Sequence, residues 1–145
     1  MKKIVLIVLF TLSSLLFYSC SKNEEVIEVS DFSLEGTWEL VEIYRDSGNG
    51  VSTWDSVDEG YEYTFFADGS FQSNRFTSCF SGNYTLLGDE LKLIYDCPGF
   101  NTQLGNTEDT FIETISWEAN TIILVPTYLD CTEGCGWKFK KTIIP

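Results

Sequence analysis

Five cysteines hold most of the side-chain chemistry this chain can offer: Cys20, Cys79, Cys97, Cys131 and Cys135. The last four form an even set, which suits two disulfides in an exported protein. Four thiolates can also hold zinc, but Cys131-x-x-x-Cys135 and the wide gap from Cys79 to Cys97 fit that poorly. There is no histidine, so Ser-His-Asp and Cys-His catalysis are excluded, and so is the commonest zinc ligand. Asp55, Asp58 and Glu59 cluster without the spacing of a calcium loop and are expected to be solvated. Glu113 stands out because it falls between Phe111 and Ile115 on an apolar face. If it points inward it needs a partner and would mark a functional site; if a bulge reverses the phase it is simply solvated. No catalytic constellation is visible, and neither a metal nor a cofactor is expected.

Cys20 differs from the other four in its setting. Lys2 and Lys3 precede an apolar run, Ile4 to Leu16, which ends in Phe17-Tyr18-Ser19-Cys20. A basic start, a short apolar core and a small residue before the cleavage point are the anatomy of a secretory signal. The run is shorter than the roughly 20 residues a transmembrane helix needs. A cysteine directly after the cleavage point resembles the lipobox of bacterial lipoproteins, although Phe17 stands where leucine is usual. That resemblance implies removal of residues 1–19, acylation of Cys20 and a membrane partner reached through lipid. Stable anchoring takes two or more chains. Residues 20–32 then read as the lipidated cysteine and a flexible tether, and 33–145 as one domain. Lys22, Glu24 and Glu25 look like a loose surface-export tag, so an outer-membrane lipoprotein facing either the periplasm or the cell surface is expected.

Charge narrows the partners. The 145-residue chain carries 9 basic and 22 acidic residues, a net charge of −13. Loss of Lys2 and Lys3 with the leader takes this to −15. Such a surface repels phosphate backbones, so nucleic acid is not an expected partner. The excess suits a soluble monomer.

The elements that must position any site are strands. Aromatic residues make up 15% of the chain, proline is scarce, and glycines fall between apolar runs. The pattern predicts strands at Gly36 to Asp46, Tyr61 to Phe66, Phe71 to Phe76, Phe80 to Leu86 and Leu91 to Tyr95. Three more follow at Phe111 to Trp117, Thr121 to Val125 and Trp137 to Ile143. Trp38 and Leu40 are out of phase with Val41 and Ile43, which predicts a bulge near Leu40. Ser47 to Gly60 and Cys97 to Asp109 read as long loops. Asp68-Gly69, Gly88-Asp89 and Ala119-Asn120 read as tight turns. Eight sequential antiparallel strands suggest an all-β, up-and-down barrel, which closes and leaves no edge. A hairpin centred on Gly88 sets Thr85 against Leu91 and, carried outward, Cys79 against Cys97. Cys131 and Cys135 are then left to pair with each other.

Gly36-Thr37-Trp38 at the start of the first strand resembles the Gly-x-Trp signature of lipocalins. Leu34 to Leu40, Tyr63-Thr64-Phe65 with Asp68 to Phe71, Ser81 to Tyr84, and Trp137 to Lys141 follow in the order of a bacterial lipocalin-like domain. The resemblance covers about residues 33 to 143. It implies that Trp38 packs across the closed end of the barrel with a basic residue, Lys138 or Lys140, against it. It also implies a small apolar ligand inside, lined by Trp38, Leu40, Tyr63, Phe65, Phe71, Tyr84, Leu93, Phe111, Ile115 and Leu124. The same bulky side chains can instead fill the interior. The chain would then be a protein-interaction or inhibitor module acting through its outer surface and loops.

Overall fold

The computed structural model describes residues 33–46, 52–104, 107–131 and 134–142. The segments expected to be a signal (1–19), a lipidated Cys20 and a tether (to residue 32) lie outside the described residues.

Among the described residues nine strands follow in chain order: β1 Gly36–Asp46, β2 Ser52–Ser56, β3 Glu62–Phe65, β4 Ser70–Ser73, β5 Ser81–Leu87, β6 Glu90–Tyr95, β7 Thr110–Glu118, β8 Thr121–Pro126 and β9 Cys135–Lys141. No helix occurs among the described residues. Every pairing is antiparallel, and from β3 onward each strand neighbours the next. β9 returns to β1 and closes an eight-stranded barrel. Closure removes the unpaired edges that would recruit other strands.

β2 is the departure from the sequence reading, which had a loop from Ser47 to Gly60. It pairs with the second half of β1, from Glu42↔Ser56 to Asp46↔Ser52. β3 pairs with the first half, from Gly36↔Phe65 to Glu39↔Glu62. The two therefore lie on the same side of β1 as one interrupted strand. Val57 N–H donating to the Val41 carbonyl, and Leu40 N–H donating to the Tyr61 carbonyl, carry the ladder across the gap. Gly60 allows the break, because a Cβ there would sit 1.9 Å from the Leu40 carbonyl oxygen. β2 is mostly exposed on both faces, so no apolar alternation marks it.

The bulge falls where the phase change predicts it. The β1–β9 register slips between Leu40↔Phe139 and Glu42↔Lys138. The β5–β6 hairpin is one residue away from the predicted register. Leu86 faces Leu91 and Leu87 faces Glu90, across a two-residue Gly88-Asp89 turn. Gly88 adopts φ +64°, the left-handed conformation that primed hairpin turns need and glycine supplies without strain. The Cys79–Cys97 disulfide forms nonetheless, just beyond the ladder, with its Cα atoms 5.7 Å apart. Cys131 and Cys135 make the second disulfide.

The barrel has two unlike ends. Tight turns at 66–69, 88–89 and 119–120 close one. The β4–β5, β6–β7 and β8–β9 connections lie at the other, called here the open end. At the closed end Trp38 is buried, donates from Nε1 to the Leu34 carbonyl at 2.7 Å, and meets Trp117 edge-on at 6.1 Å. The cation against Trp38 is Lys141, with Nζ 5.2 Å from the ring centre, rather than Lys138 or Lys140. Strand alternation explains the correction. Lys141 lies opposite Trp38 in the register and shares its inward face, whereas Lys138 and Lys140 face outward with Glu42 and Glu39.

Candidate functional site

Alternation carries a polar group into the barrel from each of several strands. Phe71, Ser73 and Arg75 fall on one face of the chain through β4 and beyond it. Tyr61, Tyr63 and Phe65 do so through β3, and Phe111, Glu113 and Ile115 through β7. Leu124 and Tyr128 continue the inward face past β8.

Arg75 and Glu113 meet there, with Nη1 3.6 Å from Oε1. Their side chains are 9% and 1% exposed, so this is a buried ion pair. Arg75 Nη1 also donates to the Tyr63 hydroxyl at 3.0 Å, and Nη2 to the Tyr128 hydroxyl at 3.3 Å. The Tyr128 hydroxyl donates in turn to Glu113 Oε1 at 3.0 Å. Glu113 Oε2 is fully buried and has no hydrogen-bond partner among the described residues. The Tyr95 hydroxyl, near Tyr63 and Ser73, also lacks a well-formed hydrogen bond.

Aromatic faces enclose the guanidinium. Its Cζ lies 4.5 Å from the centre of the Phe111 ring, 5.3 Å from Tyr61, 5.4 Å from Phe76 and 5.6 Å from Trp137. Such contacts stabilise a desolvated cation by about 2 kcal/mol or more. Phe76 stacks on Phe111 and meets Tyr95 and Phe100 edge-on. The β4–β5 connection thus lays a charged, ring-covered plug into the open end. Cys79, four residues beyond Arg75, fastens that connection to the end of β6 through Cys97.

The electrostatics follow from burial. Desolvation pushes the Glu113 carboxyl above its ordinary value, against the downward pull of Arg75 and of the Tyr128 hydroxyl. Burial alone works against the Arg75 cation, but the surrounding tyrosine oxygens and Glu113 outweigh it. Arg75 therefore stays charged. Burial raises Tyr61, Tyr63, Tyr95 and Tyr128, which keeps their hydroxyls neutral.

The predicted lining residues lie in the core. Trp38, Leu40, Tyr63, Phe65, Phe71, Leu93, Phe111, Ile115 and Leu124 are buried, and Tyr84 is half-buried with its hydroxyl on the Phe66 carbonyl. They touch one another: Phe65 packs on Tyr84 at 4.9 Å, on Tyr63 at 5.6 Å and on Phe71 at 6.2 Å. Glu113 was legible as the odd residue on an apolar face. Arg75, Tyr61, Tyr95 and Tyr128 were missed, although extending the alternation from Phe71 through Ser73 would have turned Arg75 inward. A concavity of about 450 Å³ lies elsewhere, beside Glu62, Thr64, Gln72, Asn74 and the exposed Phe80.

A closed antiparallel barrel with Gly-x-Trp at its base, a cation against that Trp and a differentiated open end defines a calycin-type barrel. The chain belongs to the lipocalin-like domain family, whose model matches residues 34–124. A search of curated proteins finds no match. A lipocalin-like protein from Bacteroides uniformis ATCC 8492 is 21% identical over 75% of this chain and 98% of its own, with a TM-score of 0.49. An uncharacterized protein from Bacteroides eggerthii DSM 20697 is 19% identical over 76% of this chain and 100% of its own, with a TM-score of 0.50. The latter likeness is one of fold alone.

Proposed function

We propose that this protein is a lipoprotein of the bacterial cell envelope whose barrel binds a small, largely apolar ligand at its open end. Acylated Cys20 holds it to the outer membrane through a tether that leaves the barrel free as a monomer. Ligand binding is the general capacity of a lipocalin-like barrel, and the two disulfides suit an oxidising compartment.

One observation carries the binding reading: the buried Arg75–Glu113 pair, with one carboxylate oxygen left over. Burying two charges costs several kcal/mol per ion, and well-packed apolar residues are often equally stable or better. A pair kept under that penalty, with an orphaned acceptor, fits recognition better than stability. The packed rings toward the closed end leave the open end as the place this reading assigns to the ligand.

Native mass spectrometry of the protein extracted from membranes in mild detergent tests this. A bound small molecule in the intact protein is the expected result. A mass equal to the acylated chain alone, across preparations, overturns it. The filled barrel acting through its outer surface is the second reading. It is favoured by the dense ring packing and by Phe80, 56% exposed beside an outer concavity.

A further inference from the structure

Resting on the binding reading above, we infer that the ligand's polar end is a hydrogen-bond donor, a hydroxyl or an amine, received by Glu113 Oε2, and that a carboxylate is rejected. Glu113 Oε1 accepts from Tyr128 and faces Arg75. Oε2 is the buried carboxylate oxygen without a donor, and the Tyr95 hydroxyl, the other buried group without a well-formed bond, can accept as well as donate. Leaving a charged acceptor unsatisfied costs more than a neutral one, so a ligand that supplies a donor recovers the difference.

Arg75 is the tempting anchor for an anion, and the geometry argues against it. Each Nη already donates one hydrogen bond, to Tyr63 and to Tyr128, so two of the five N–H groups are engaged. Rings of Phe111, Tyr61, Phe76 and Trp137 surround the guanidinium. Its charge is matched by Glu113 at 3.6 Å. A ligand carboxylate would bring a second anion beside Glu113 in a poorly screened interior, where like charges repel strongly. The acidic excess of the whole chain adds a long-range term of the same sign. A hydroxyl meets neither obstacle. An amine gains a charge-assisted hydrogen bond to the carboxylate. The rings of Phe76, Phe100 and Tyr95 pack on one another around this centre, so the rest of the molecule must part them to enter.

Octanol, octylamine and octanoate share one chain length and differ only at the head. Each is titrated calorimetrically into the membrane-extracted protein. The alcohol and the amine are expected to bind at least about tenfold more tightly than octanoate, the discrimination one charge-assisted hydrogen bond supplies. Glu113→Gln can turn its amide donor toward the ligand while its oxygen keeps Tyr128, so the preference should move toward octanoate. The comparison within the intact wild-type protein needs no variant to fold. Octanoate binding as tightly as the other two overturns the donor inference and leaves the binding reading standing. Failure of all three probes to bind overturns both.

Discussion

Arg75 and Glu113 reach each other inside the barrel from opposite walls, 38 positions apart in sequence, and bury an ion pair with Nη1 3.6 Å from Oε1. β4 and β7 are not neighbours in the sheet, so the pair spans the interior. Tyr128 ties the two together by accepting from Arg75 and donating to Glu113. The barrel wall would close without this contact. What the pair adds is a fixed polar centre in an aromatic interior.

The two charges should behave as one unit under mutation. Arg75→Met strands a buried carboxylate, and Glu113→Leu strands a buried cation, so each is expected to cost about 3–5 kcal/mol. The double variant removes both charges and should cost less than the sum of the two, with a coupling of about 2 kcal/mol or more. It will not recover fully, because the Tyr63 and Tyr128 hydroxyls lose their partners. Urea melts of the four proteins read the cycle directly. Additive losses would show that the pair contributes no mutual stabilisation.

Glu113 also predicts the sign of a pH effect. Desolvation raises its carboxyl in the folded state above the ordinary 4.5, despite Arg75 and Tyr128 beside it. The folded protein then holds that proton more tightly than the unfolded chain does. Stability from this group should therefore rise as pH falls from above the raised value toward 4.5, and be lost as pH climbs back. The facing groups, Arg75, Tyr61, Tyr63 and Tyr128, stay in one protonation state across that window. Asp68, held below its ordinary value by Ser70, acts with the opposite sign, but only below 3.8. Melting temperatures against pH should show a component that Glu113→Gln abolishes. The same slope in the variant would assign it elsewhere.

Period-two patterning made most of the barrel legible, because its wall separates ring-filled interior from water and the sequence alternates accordingly. The same rule put Glu113 on the apolar face of Phe111 and Ile115, which the structure turns inward, and anticipated the slip at Leu40. It failed where a strand has no buried face: Ser52–Ser56 is exposed on both sides and reads as loop. It failed again at Arg75, where a polar residue inside a Ser-Asn-Arg run resembles a turn. The ion pair needs topology as well as pattern, since nothing local joins residue 75 to residue 113. The cation at Trp38 was misassigned by register rather than by idea: Lys141, not its outward-facing neighbours, lies opposite that ring.

Gly82 is a packing requirement rather than a turn. It sits in β5 opposite Phe71 and Tyr95, and a Cβ there would lie 2.1 Å from the Ile94 carbonyl oxygen and 2.6 Å from the Phe71 ring. The backbone contact cannot yield by a rotamer change. Gly82→Ala should therefore cost at least the roughly 1–3 kcal/mol typical of overpacking. Gly88→Ala is the instructive comparison. Nothing lies within 4 Å of its would-be Cβ, and the cost should come from φ +64° alone, about 1 kcal/mol. Denaturant midpoints that place the two in the reverse order would refute the packing argument.

The two disulfides should differ in what they contribute. Cys79 and Cys97 are 18 apart in sequence, and Cys131 and Cys135 only 4. Closing the longer loop removes more freedom from the unfolded chain, about 3 kcal/mol against about 2 for the short one. Cys79 is also fully buried, so its replacement by alanine loses packing as well. Cys79→Ala with Cys97→Ala should therefore destabilise the barrel more than Cys131→Ala with Cys135→Ala. The first pair should carry a second effect that loop length does not predict. It frees the connection that holds Arg75 and Phe76 in the open end, so protease cleavage between Asn74 and Phe80 should speed up before the barrel itself unfolds. Equal cleavage rates in both double variants would show that Arg75 and its rings hold the plug without the staple.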